Sequence, residues 1–179
     1  MSILPIVIAP DERLITRASE VTDINDKIKE LVNDMFETMY DAEGLGLAAV
    51  QVGVLKRIFI VDVQLETIEN EPAGYESIGK FCMINPEITE LSDEQVTLKE
   101  GCLSIPEQSY EIKRPKYLTV KYRDLNNEEQ TLKAGGWLAR CIQHELDHLN
   151  GILYIRHLSK LKYDMAMKKA QNVKKHYEQ

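Results

Sequence analysis

With 179 residues, 44% hydrophobic and 28% charged, the chain suits one globular domain with its own core, which excludes a disordered or disulfide-dependent fold. A net charge of −7 argues against a DNA binder, which needs a basic surface. Three cysteines do not make a secreted disulfide framework, and no run approaches the ~18 apolar residues that span a bilayer.

The apolar run Ile3–Ala9 lacks a basic flank and a cleavage site, so a cytoplasmic protein with reduced thiols and no membrane association is expected. From Asp23 to Ala42, apolar residues fall at Ile24, Ile28, Leu31, Val32, Met35, Phe36, Met39 and Tyr40. These steps of three and four predict a helix, with Asp23 as N-cap and Gly44 as its stop. Strands are expected over Arg57–Leu65 and Phe81–Ile88, separated by a polar loop or insertion at Glu66–Lys80. Gln95–Glu100 and Tyr117–Asp124 alternate like strands, and Asn126-Asn127 offers a tight turn into Gln130–Lys133. Gly136–Leu149 is helical by periodicity, and Leu158–Tyr177 is a polar helix that extends the domain at 158–179. Helices at both ends with short strands between them indicate a single α+β domain over 1–179.

The stretch QHELDHLNG, Gln143–Gly151, carries the chemistry. On a helix, His144 and His148 lie roughly 6 Å apart along the axis and about 40° apart around it, so both imidazoles can reach one metal ion. Glu145 is one step off and suited to holding a metal-bound water, the division of labour in HExxH enzymes. The extended protease pattern continues through Gly151 but requires a histidine where Tyr154 stands. His157 is too near in sequence to complete the set and reads, like His176, as a surface or satisfied histidine. Cys141 would sit around 7 Å along the axis from an ion held by both histidines, too far for a bond of about 2.3 Å. Cys82 reads as core. Cys102, in EGCLSIP between Gly101 and Pro106, sits at a strand end leading into an ordered turn and is the third ligand.

GLGLAAVQ (Gly44–Gln51), EGCLSIP and QHELDH, in this order along the chain, resemble the three signature motifs of the peptide deformylase family, and Pro10–Leu14 is similar as well. The resemblance implies removal of the N-formyl group from the initiator methionine of nascent chains, through metal-bound water activated by a glutamate. It implies an α+β fold whose HExxH helix packs against antiparallel strands. One divalent metal ion would be held by Cys102, His144 and His148: iron(II) physiologically, with zinc, nickel or cobalt able to substitute. Glu145 would move the proton, while the Gln51 amide and the backbone N–H of Leu103 would stabilise the oxyanion. Gly46 would bond the substrate main chain, and Leu45, Leu98, Trp137 and Cys141 would line the methionine pocket. Arg140 occupies a position commonly apolar in relatives. It is expected either to reach the pocket rim over a buried stem or to face solvent. Ser109 stands where some relatives carry a basic residue.

A carboxylate inside HELDH needs a partner if buried, so Arg114 is expected to pair with Asp147 and brace the metal helix. Glu100 is expected either to bond the cysteine loop or to stay solvated. Arg156–Lys175 holds seven basic residues against Asp164 alone. That asymmetry fits a solvated helix end or, as in some deformylases, docking of the C-terminal helix on the ribosome. Deleting Leu158–Gln179 is then expected to spare activity on small peptides. The competing classes are an HExxH metalloprotease and a non-catalytic metal module whose fourth position is closed by protein.

Overall fold

The computed structural model describes residues 2–65 and 72–178. Three α-helices occur among them: α1 (Asp26–Asp41), α2 (Gly136–Leu149) and α3 (Lys160–Tyr177). The strands are β1 (Gly46–Ala48), β2 (Ile58–Val63), β3 (Gly79–Leu91), β4 (Gln95–Cys102), β5 (Ile105–Pro115), β6 (Leu118–Arg123) and β7 (Glu129–Ala134). They form a five-stranded antiparallel sheet in the order β1-β2-β3-β6-β7 and a separate β4-β5 hairpin. The expected α+β architecture is therefore present, with the HExxH helix α2 packed across β1 and β2.

β2 reads IFIVDV because both of its faces are covered. Phe59, Val61 and Val63 pack with Leu138, Ala139 and Ile142 of α2. Ile58 and Ile60 pack with Val32, Met35 and Met39 of α1. A strand buried on both faces becomes a near-continuous apolar run, since neither side can be polar. A third cluster joins Ile105 and Ile112 of the hairpin to Leu14, Tyr154 and the α3 residues Ala166 and Ala170.

Several expectations need correction. The first helix starts two residues later than an Asp23 N-cap implies, capped by Asn25, whose side chain accepts from Ile28 N. It ends through Glu43, at a left-handed φ of 55°, instead of through Gly44. Gly44 is needed for closeness: a Cβ there would lie 2.9 Å from Leu103 Cδ1. Within GLGLAAVQ, Gly46–Ala48 is an edge strand and Ala49–Val52 a short 3-10 helix, neither of which was expected. β5 was not expected at all; its inward positions include Gln108, Tyr110 and Arg114, which hide the alternation of a strand. Of the polar loop expected at Glu66–Lys80, residues 66–71 lie outside the described residues, and Gly79 and Lys80 already belong to β3.

The C-terminal helix is more than an appendage. Ala166 and Ala170 are fully buried, Lys169 Nζ donates to Glu107 O at 2.7 Å, and Lys174 Nζ donates to Pro10 O at 2.7 Å. Removing 158–179 would uncover the core around Ile105 and Tyr154, so that deletion is no neutral probe of docking. No helix among the described residues is long and apolar enough to cross a membrane.

Candidate active site

α2 buries Leu138, Ala139, Ile142 and Leu149 on one side and turns His144, Glu145 and His148 toward β1 and the β4-β5 hairpin. Cys102, at the end of β4, meets them there. One donor atom from each of Cys102, His144 and His148 lies within 4.8 Å of the others. Cys102 Sγ stands 3.3 Å from His148 Nε2. Sulfur and nitrogen sharing one tetrahedral ion are expected about 3.5 Å apart from their bond lengths, so the donors fit a single divalent cation. Cys141 and His157 stand outside the set, as the spacing predicted.

The partners behind the donors fix their orientation. Glu100 accepts from His144 Nδ1 at 2.9 Å, which leaves His144 Nε2 for the triad. Glu100 also accepts from Arg114 Nε at 2.6 Å and Arg114 Nη2 at 3.0 Å, and from Arg140 Nη1. Neither expectation for Glu100 describes it: at 5% exposed it is not solvated, and the bonds its carboxylate makes go to His144, Arg114 and Arg140, not to the cysteine loop. Burial opposes its charge, but the bonds from His144 and Arg114 outweigh this and hold its carboxyl well below the usual carboxylate range. Burial likewise opposes an imidazolium at His144, yet Cys102 and Glu100 raise it to about 10. His148 is held neutral, first by burial and then by the charge of His144.

Arg114 Nη1 donates to Asp147 Oδ2 at 2.9 Å, so the expected pair exists, and His157 Nε2 lies 2.9 Å from the same oxygen. Arg140 neither reaches the rim nor faces solvent. It is 3% exposed, its guanidinium turned onto Glu100 and onto the main chain of the hairpin. Apolar surroundings forced this: a charge on the buried flank of α2 has to find a carboxylate and carbonyls.

Glu145 is 5% exposed and its Oε2 is buried without a hydrogen-bond partner among the described residues. Burial pushes its carboxyl up to about 7. It lies so close to β1 that a Cβ on Gly46 would meet Oε1 at 2.7 Å. Gln51 is 1% exposed; its Oε1 accepts from Ala48 N at 2.9 Å. Its Nε2 donates to Ser104 Oγ at 3.1 Å and lies 3.6 Å from Cys102 Sγ. Leu103 follows Cys102 in the turn between β4 and β5.

A cavity of about 1020 Å³ opens onto these groups, lined among others by Leu45, Gly46, Gln51, Trp137, Arg140, Cys141 and Glu145. Leu98 is not in its wall: β4 enters the lining only from Lys99, and Leu98 lies opposite Ile112. Ser109 is likewise absent from the wall. The Cys141 thiol is pushed up to about 12, chiefly by burial, which suits an apolar lining group. Two residues escaped the sequence reading. Tyr154, where the protease pattern needs its third histidine, is 1% exposed and packs its ring 5.6 Å from that of His144. Ser104, fully buried, orients Gln51; its place in EGCLSIP was the available signal.

A family model described as polypeptide deformylase matches residues 3–164. A peptide deformylase of Wolbachia pipientis wMel is 93% identical over 179 residues, 100% of both chains. Peptide deformylase from Ehrlichia chaffeensis superposes with a TM-score of 0.93 at 49% identity, over 98% of each chain. The Ehrlichia chaffeensis structure in complex with actinonin gives a TM-score of 0.90 at 50% identity, over 96% of this chain and 98% of that one.

Proposed function

The chain belongs to the polypeptide deformylase family, and on that premise we propose that it removes the formyl group from the N-terminal formylmethionine of nascent polypeptides in the cytoplasm. Cys102, His144 and His148 hold one divalent metal ion, iron(II) physiologically, with zinc, nickel or cobalt as substitutes. The observation that carries this reading is the convergence of three donors from two separate elements beside a buried glutamate oxygen that has no partner among the described residues, at the wall of a cavity of about 1020 Å³.

When bound, the ion supplies Lewis acidity that activates water and polarises the formyl oxygen. Glu145 takes a proton from the water as its oxygen attacks the formyl carbon. It returns that proton to the departing amine as the C–N bond breaks, leaving formate and a free α-amino group. Its carboxyl at about 7 suits both halves of that task near neutral pH. Gln51 Nε2 and the Leu103 N–H are the donors to the oxyanion, and Ala48 N and Ser104 hold the Gln51 amide in place beforehand. Glu100 keeps His144 in one tautomer, and Arg114 with Asp147 braces the helix that carries both histidines. β1 is an edge strand, so the Gly46 main chain is available to pair with an extended substrate. Leu45, Trp137 and Cys141 form the apolar wall for the methionine side chain.

α3 adds a docking surface for the ribosome through Lys162, Lys168 and Lys175, which are exposed, whereas Lys169 and Lys174 are engaged with Glu107 and Pro10. The central test is Glu145→Gln. Full metal content with turnover on a formyl-Met peptide lowered about 10²- to 10⁴-fold is expected; near-normal turnover would remove Glu145 from its role.

A further inference from the structure

The metal triad is assembled from two pieces whose buried apolar residues fall, among the described residues, in different clusters. α2 contributes Leu138, Ala139, Ile142 and Leu149 to one cluster, and the hairpin contributes Ile105 and Ile112 to another. What ties the Cys102 hairpin to the histidine helix is polar. Glu100 meets His144, Arg114 meets Asp147, and Gln143 Nε2 donates to Pro115 O at 3.0 Å. Arg140 does more than any of these. From α2 it donates through Nη1 to Glu100 and to Ile112 O at 2.9 Å, and through Nη2 to Val96 O at 2.8 Å. It therefore grips the main chain of both hairpin strands and the carboxylate that orients His144. Of its three guanidinium nitrogens, Nε alone has no partner among the described residues.

We infer that Arg140 is a positioning residue that holds Cys102 in register with His144 and His148, and so governs how long the metal stays. The inference rests on the reading of Cys102, His144 and His148 as metal ligands. Its sign separates it from plain electrostatics. Glu100, Asp147, Arg114 and Arg140 together carry no net charge. Removing the arginine charge leaves the cluster negative, which by Coulomb attraction alone would hold a divalent cation more tightly. A loosened brace does the opposite.

The experiment loads wild type, Arg140→Met and Arg140→Lys with cobalt(II). It follows the thiolate-to-cobalt absorption and the rate of release into excess chelator, with circular dichroism and melting reported for each. Wild type binding one cobalt with a thiolate band that is lost in Cys102→Ser tests the ligand set by itself. Both Arg140 variants are expected to release cobalt about tenfold faster or more, with a shifted thiolate band, the scale of losses when groups behind metal ligands are removed. Arg140→Lys keeps the charge but replaces the fork with one nitrogen, and it stands in should the methionine variant fail to fold. Release at the wild-type rate or slower from either folded variant, with an unchanged band, overturns the inference.

Discussion

Replacing Gly46 by alanine should cripple turnover while leaving the fold nearly intact. The added Cβ would lie 2.7 Å from Glu145 Oε1, 3.0 Å from its Cγ and 3.1 Å from its Cδ. Because the clash runs along the side chain, a rotation of the carboxylate alone cannot relieve it. The glutamate has to retreat by roughly half an ångström to reach an ordinary contact. β1 cannot easily yield instead, since Gly46 is in register with Val61 and Leu45 O accepts from Asp62 N at 2.9 Å. A misplacement of about 1 Å in a reacting group costs on the order of 10²-fold, so a loss of about 10- to 100-fold in kcat is expected, or roughly 1.4–2.7 kcal/mol of transition-state stabilisation. The Gly46 N–H and C=O survive the change, so KM should move less than kcat. The assay is steady-state deformylation of a formyl-Met peptide by protein of equal metal content and equal melting temperature. Pairing the change with Glu145→Asp, one methylene shorter, should give losses that fall short of adding. A kcat within twofold of wild type, or strict additivity in the pair, would refute the steric reasoning.

Cys102→Ser should lose the metal and the activity together, and restored metal at high concentration should rescue little; an active, metal-replete serine variant would dismantle the ligand set. Asp147→Asn removes a charge-assisted bond to Arg114 at a site 20% exposed. The expected cost is about 1 kcal/mol, or a melting temperature roughly 2–4 °C lower at this chain length, with kcat little changed. An unchanged melting curve would show that the pair braces nothing. Changing Lys162, Lys168 and Lys175 together to glutamate should weaken co-sedimentation with ribosomes and flatten its salt dependence while sparing activity on small peptides. Equal binding at every salt concentration would exclude the α3 surface as the docking site.

What the sequence determined by itself was whatever is written locally along the chain. The spacing of His144, Glu145 and His148 implies one helical face, and the α2 limits expected from periodicity are those observed. Cys102 stood out because glycine and proline flank it at a strand end. The amphipathic α1 and the apolar β2 were legible for the same reason, since periodicity is a property of consecutive residues.

Tertiary structure decided everything that depends on partners distant in sequence. β5 escaped notice because its half-buried Gln108 and Tyr110 and its buried Arg114 mask a strand's alternation; the sequence offered Asp147 as a partner for Arg114, but only the fold brought Glu100, fourteen positions earlier, to the same guanidinium. Arg140 could be read as rim or solvent, and became a buried brace only because three hairpin acceptors converge on its fork. α3 looked like a detachable basic tail until Ala166 and Ala170 met Ile105 and Tyr154. A buried charge or a small apolar residue carries no local signature of its burial. Its energy is set by the groups the fold brings against it, and those are chosen only when the chain closes.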